Sequence, residues 1–186
     1  MIDLIKLADH KQIFGFFAEQ LSYPDKQTFG HMETEMGMPP SIMEQVEVYW
    51  EKMRQLSMDE IEELYVQTFD FQKQSTLYMT YAKLEDAKER GQMLAKLKIT
   101  YEMYGLEITE GELPDYLPLM CEFLYAADWI RHQHSEDSLK TLVAVLEDGT
   151  YGLLQALEKQ GNPYFYVVKA LRETFKLCLE EEVGTL

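Results

Sequence analysis

Along most of this chain, apolar residues recur at alternating steps of three and four, the spacing that lines one face of an α-helix. Ile42, Val46, Tyr49, Met53 and Leu56 form one such stripe and predict a helix over about 41–56. Ser57 and Glu60 follow as an S-x-x-E capping box, opening a second helix with Ile61, Leu64, Tyr65 and Phe69 on its apolar face. That helix is expected to end near Asp70, and Gln72 to Thr76 reads as a connecting loop. From Asp86 the pattern resumes through Ala87, Leu94, Leu97, Tyr101 and Tyr104, with Gly105 placed for a left-handed residue after the last turn. Asp86 and Arg90 stand four apart, the spacing of an ion pair on one helix face.

Further on, Thr109 and Glu112 make a second capping box, with Pro114 in the first turn of a helix running through Phe123 toward Ile130. Pro118 would remove a backbone bond inside that helix, so either a kink or a true helix start just before it is expected. Ser135 caps a long helix facing Leu139, Leu142, Val143, Leu146, Leu153, Leu154 and Leu157 inward, with a bend expected near Gly149 and Gly152. Gly161, Asn162 and Pro163 read as helix end, N-cap and first helical residue. The last helix shows Tyr164, Val167, Val168, Leu171, Phe175 and Cys178 on one side. An N-terminal helix over about 3–22 and a connection over about 24–40 complete the chain. No run combines alternation with β-branched enrichment and flanking turn signals, so the expected fold is all-α, a single-domain helical bundle of about seven to nine helices over residues 1–186.

Charge narrows the function. With 17 Lys+Arg against 33 Asp+Glu the net charge is −16, while 46% of residues are hydrophobic, too many for disorder. Binding to nucleic acid or to anionic lipid needs a positive face, so a basic or amphipathic partner is the easier one electrostatically. The first nineteen residues break their apolar run with Asp3, Lys6, Asp9, His10, Lys11 and Gln12, so no charged n-region followed by an apolar h-region can be drawn and no signal peptide is expected; no stretch suits direct membrane insertion. The two cysteines, Cys121 and Cys178, sit in apolar helical segments as small buried hydrophobes of a reducing, cytoplasmic compartment.

Missing motifs narrow it further. The ten glycines never form G-x-G-x-x-G or a P-loop. No Glu-x-x-His precedes His10, His31, His132 or His134, which removes a di-iron bundle. His132 and His134 are two apart and point about 200° away from each other on a helix, so they do not converge on one ion. The expectation is a protein without metal, cofactor or catalytic group.

Two stretches depart from plain amphipathic helix: Tyr65 to Phe71, where aromatics meet a carboxylate at a helix end, and Glu112 to Phe123, where Pro114 and Pro118 bracket Asp115 and Tyr116. Such a mixture suits a groove that accepts an apolar helix face and pairs its basic residues. From the residues alone, core aromatics and acids that offset a helix dipole are the more ordinary source of such a mixture.

At these residues the sequence resembles a known family. Tyr65-Val66-Gln67-Thr68-Phe69-Asp70, Ser75-Thr76-Leu77-Tyr78, Arg90-Gly91 and above all Glu112-Leu113-Pro114-Asp115-Tyr116-Leu117-Pro118-Leu119 with Glu122-Phe123 are similar to the NarJ-type nitrate reductase assembly chaperones. These belong to the wider TorD/DmsD group of redox-enzyme maturation proteins. The match runs over about residues 60–125 and departs at Ala82 to Asp86, where a glycine before the aspartate is expected. The resemblance implies a non-catalytic cytoplasmic chaperone. Such a protein binds the N-terminal segment of the apo respiratory nitrate reductase alpha subunit and assists molybdenum cofactor insertion into that client. The client-binding residues expected on this basis are Tyr65, Phe69, Asp70, Glu112, Pro114, Asp115, Tyr116, Pro118, Leu119 and Glu122. Tyr65, Phe69, Tyr116 and Leu119 would supply apolar contact, and Asp70, Glu112, Asp115 and Glu122 charge. A generic helical adaptor that docks folded partners is the alternative, and pairing into a homodimer is left open.

Overall fold

In the computed structural model, residues 3–30, 37–84, 86–129 and 135–179 are described. Ile130, His132, His134 and part of the 24–40 connection lie outside them. The described residues form nine α-helices: α1 (Leu4–Asp9), α2 (Lys11–Leu21), α3 (Lys26–Gly30), α4 (Pro40–Met53), α5 (Met58–Tyr65), α6 (Ala87–Met103), α7 (Leu117–Ala126), α8 (Ser135–Gln160) and α9 (Tyr164–Leu177). The fold is all-α, as the periodicity predicts.

The local signals explain most boundaries. Ser57 accepts a hydrogen bond from the Glu60 N–H while the Glu60 carboxylate accepts from the Ser57 N–H, so both halves of the capping box form at the start of α5. Asp86 caps α6 by accepting from the N–H groups of Lys88 and Glu89. It therefore does not make the expected pair with Arg90, which turns to Asp115 instead. Gly161 has φ of +61°, and the Asn162 side chain accepts from the Tyr164 N–H at 3.0 Å to cap α9.

Three expectations need correction. The N-terminal helix is broken at His10, whose ψ of 8° interrupts the ladder between α1 and α2. Thr109 and Glu112 open no helix; that segment is loop and turn, and α7 begins at Leu117 with Pro118 in its first turn. Proline fits there because its absent N–H has no intrahelical partner to lose. Finally, α5 does not run to Asp70 as regular α-helix. Val66–Asp70 is a π-helical turn closed by the Phe71 N–H on the Val66 carbonyl.

Packing is helix on helix. The main contacts are α2 against α7, α4 against α9, and α8 against α9. Phe14 meets Phe175 at 5.1 Å between ring centroids, and Phe16 lies edge-on to Trp50 at 5.8 Å. The π turn is tied to the α8–α9 junction: Asn162 Nδ2 donates to Thr68 Oγ1 at 2.6 Å, and Ser75 Oγ donates to the Thr68 carbonyl at 2.5 Å. This positions the end of α5 and the segment that follows it, where the candidate site is found.

Candidate functional site

The Leu-Pro-Asp-Tyr-Leu-Pro block is built into the fold before it is offered to any partner. Residues 77–79 run antiparallel to residues 115–117: the Leu117 N–H donates to the Leu77 carbonyl at 2.8 Å and the Met79 N–H to the Asp115 carbonyl at 2.9 Å. The Asp115 carboxylate is wholly buried. Its Oδ2 accepts from the Thr80 N–H at 3.1 Å, from the Thr80 hydroxyl at 2.5 Å and from the Arg90 guanidinium at 3.5 Å. Pro114 is buried, and its carbonyl accepts from the Tyr101 hydroxyl at 2.6 Å. Pro118 is buried at the first turn of α7. Asp115 is thus not a charge presented to a client, contrary to the expectation from sequence: a carboxylate already desolvated is stabilised by its internal donors.

Tyr65 and Phe69 also face inward. Both are less than 5% exposed and pack edge-on against Tyr164, at centroid distances of 6.0 and 4.8 Å. The Tyr65 hydroxyl donates to the Leu21 carbonyl at 3.0 Å and lies 3.2 Å from the Tyr116 hydroxyl. Burial raises the phenol pKa of Tyr65 far above its ordinary value, and Tyr116 follows in the same direction for the same cause. The expected apolar contact by Tyr65 is corrected accordingly, since its ring is packed in the core; Phe69 reaches a surface only where it floors a cleft.

That cleft, of about 440 Å³, lies between the π turn and the following chain; Phe69, Asp70, Phe71, Lys73, Tyr78, Tyr81, Arg90 and Leu113 line it. Phe71 is 80% exposed, and Tyr81 and Leu113 are also open to solvent. Lys73 and Arg90 both lie over the Tyr81 ring, at 5.6 and 5.4 Å. The Tyr78 hydroxyl donates to Glu112 Oε1 at 3.1 Å, which ties the cleft wall to the acidic loop. Burial first and the Glu112 carboxylate second push the Tyr78 phenol up to about 12.

The other expected residues are not gathered here. Glu112 and Pro114 border a separate hollow of about 470 Å³ with Glu102, Glu107 and Glu110. Leu119 and Glu122 line a third of about 120 Å³, beside Tyr101 and Phe123. Phe71 and Leu113 lie in the two stretches that the sequence marks as a groove but are given no client-binding role there, and Tyr81 is not singled out at all. The signal for Phe71 was present: one aromatic stands before the polar run Gln72, Lys73, Gln74.

Among the described residues no group of three or more His, Cys, Asp or Glu is placed to hold a metal ion. Cys121 and Cys178 are buried, and burial pushes both thiols up, Cys178 to about 12. No helix of the described residues is long and apolar enough to cross a membrane.

The class defined by these features is an all-α bundle with an aromatic cleft of mixed charge beside an internally latched Pro-Asp-Tyr loop. The chain belongs to the nitrate reductase delta subunit family, whose model matches residues 35–168. It is 39% identical over 126 residues to the Bacillus subtilis protein named "Probable nitrate reductase molybdenum cofactor assembly chaperone NarJ". That match covers 64% of this chain and 68% of the relative. It is 30% identical over 110 residues to the Mycobacterium tuberculosis nitrate reductase-like protein NarX, covering 59% of this chain but 16% of that longer protein. Against the Escherichia coli K12 nitrate reductase molybdenum cofactor assembly chaperone NarJ the identity is 24% over 111 residues, covering 56% of this chain and 47% of the relative.

Proposed function

We propose that this protein is a system-specific, non-catalytic chaperone that binds the N-terminal segment of the apo respiratory nitrate reductase alpha subunit. In that role it assists molybdenum cofactor insertion into the client and assembly of the complex, in the cytoplasm. The family match over residues 35–168 carries this reading, because it spans both the π turn and the Pro-Asp-Tyr loop that flank the cleft. The molybdenum cofactor is the client's cargo, and the chaperone holds none of its own.

The cleft supplies a physical mechanism. A basic, amphipathic client segment loses conformational entropy when it orders on the surface, offset by apolar burial at about 25 cal/mol per Å². Phe71, Tyr81 and Leu113 give the apolar contact, and Asp70 gives an exposed charge at the rim. The net charge of −16 steers a cationic segment toward the surface, an attraction that weakens with salt.

Co-purification tests the reading. The chaperone should retain apo alpha subunit and lose it when the client's N-terminal segment is deleted. Recovery of folded partners alone would favour an adaptor, and equal recovery of the truncated client would remove the N-terminal segment from the account.

A further inference from the structure

The chain from Leu77 to Tyr81 is pinned from two sides, and both pins lie outside the cleft's open surface. On one side the Asp115 carboxylate takes both the N–H and the hydroxyl of Thr80. The Thr80 hydroxyl in turn accepts from Arg90 Nε at 3.1 Å, so its donor and acceptor capacities are both used. On the other side Met79 lies directly against Gly149 of α8, so close that a Cβ at Gly149 would stand 2.7 Å from the Met79 Cβ. Tyr78 and Tyr81, the aromatic residues of this segment that line the cleft, flank the two pinned residues.

We propose that Asp115 and Thr80, braced by Arg90, form a positioning latch: the pair fixes the strap Leu77–Tyr81 against the start of α7, and client affinity depends on it through the placement of Tyr78, Tyr81 and Arg90 and not through contact by Asp115 or Thr80. This rests on the cleft being where the client docks. Three features support it. Asp115 and Thr80 are at most 3% exposed, so neither can meet a docked peptide without unfolding the strap. Their partners lie 35 residues apart in the chain, so the bond joins two segments instead of capping one. Arg90 spans both, reaching Asp115 with its guanidinium and stacking on Tyr81 at 5.4 Å. Releasing the carboxylate leaves the Thr80 N–H and the guanidinium without their buried acceptor, which frees the strap and with it the cleft wall.

The test compares Asp115→Ala, Thr80→Val, Thr80→Ser and the Ala/Val double variant, using a synthetic peptide of the client's N-terminal segment in calorimetry and amide hydrogen exchange on the free protein. Asp115→Ala, which removes the acceptor, and Thr80→Val should each weaken binding by roughly tenfold, and the double variant should be no weaker than the weaker single. Thr80→Ser, which keeps the hydroxyl, should bind as wild type. Exchange at the Thr80 amide should accelerate about tenfold or more in Asp115→Ala and stay unchanged in Thr80→Ser. The salt dependence of binding should match wild type throughout. A flattened salt dependence in Asp115→Ala with unchanged Thr80 exchange would mean direct charge contact and overturn the latch, as would additive losses in the double variant. If wild type fails to bind the peptide, the functional reading falls, and the exchange experiment still decides the latch: unchanged Thr80 protection in Asp115→Ala overturns it.

Discussion

Three glycines inside helices carry different burdens, and replacing each by alanine separates them. Gly149 is in the middle of α8, where an added Cβ would lie 2.7 Å from the Met79 Cβ and 2.8 Å from the Met79 carbonyl oxygen. That oxygen is backbone, and the same residue's N–H is held by the Asp115 carbonyl at 2.9 Å, so the strap cannot swing aside freely. Gly152 of the same helix and Gly91 of α6 have nothing within 4 Å of the added atom. At those two sites Ala should stabilise by up to about 1 kcal/mol through helix propensity alone. At Gly149 the same gain is opposed by overpacking of about 1–3 kcal/mol, giving a net loss of up to about 2 kcal/mol. The measurement is the urea midpoint at constant m-value for the three variants, with melting temperatures expected to differ by about 2–4 °C per kcal/mol at this chain length. Gly149→Ala should fall below wild type and Gly152→Ala above it. If the two are stabilised equally, the strap does not press on α8, and its second pin is lost from the account.

Other consequences are independent of the strap. Asn162→Ala removes both the cap on the Tyr164 N–H and the partner of Thr68 Oγ1, so it should cost about 2–3 kcal/mol in chemical denaturation. Asp25 and Glu60 have carboxyl pKa values below their ordinary ones, through bonds from the Thr28 N–H and the Ser57 N–H respectively. Each binds fewer protons folded than unfolded, so its stabilisation is present above the unfolded pKa and lost as pH falls through the folded one. The urea midpoint should therefore drop in acid, and less so in Glu60→Gln. The thiols of Cys121 and Cys178, raised by burial, should resist a thiol-specific reagent in the native state and react at a rate set by unfolding. Rapid native labelling would contradict their placement.

The sequence made helices legible wherever the deciding contacts are local. Ser57 and Glu60 are three residues apart, Asp86 caps the amides two and three residues after it, and Gly105 and Gly161 take positive φ where the periodicity stops. The candidate site was legible as a location and not as a set of roles. Asp115 reads as an exposed acid in a helix's first turn until Thr80, 35 residues earlier, is seen to occupy it. Likewise the Thr109–Glu112 pattern has the spacing of a cap, yet the chain turns back there so that the Tyr101 hydroxyl can reach the Pro114 carbonyl. Arg90 shows the same limit: its i−4 neighbour was occupied by capping, and its side-chain partners Thr80 and Asp115 lay across the fold. Periodicity reports which face is buried, but carries no information on which distant donor meets a buried acceptor.

Calorimetric titration of the client's N-terminal peptide against wild type, Phe71→Ala and Asp70→Lys tests the central claim most directly. Phe71 is 80% exposed and Asp70 is on the rim, so neither change should move stability by more than about 0.5 kcal/mol. The account predicts saturable binding to wild type, weakened several-fold by Phe71→Ala and roughly 2- to 10-fold by Asp70→Lys, the latter effect shrinking at high salt. Binding of equal strength to all three proteins would contradict it, because the client would then be held somewhere other than this cleft.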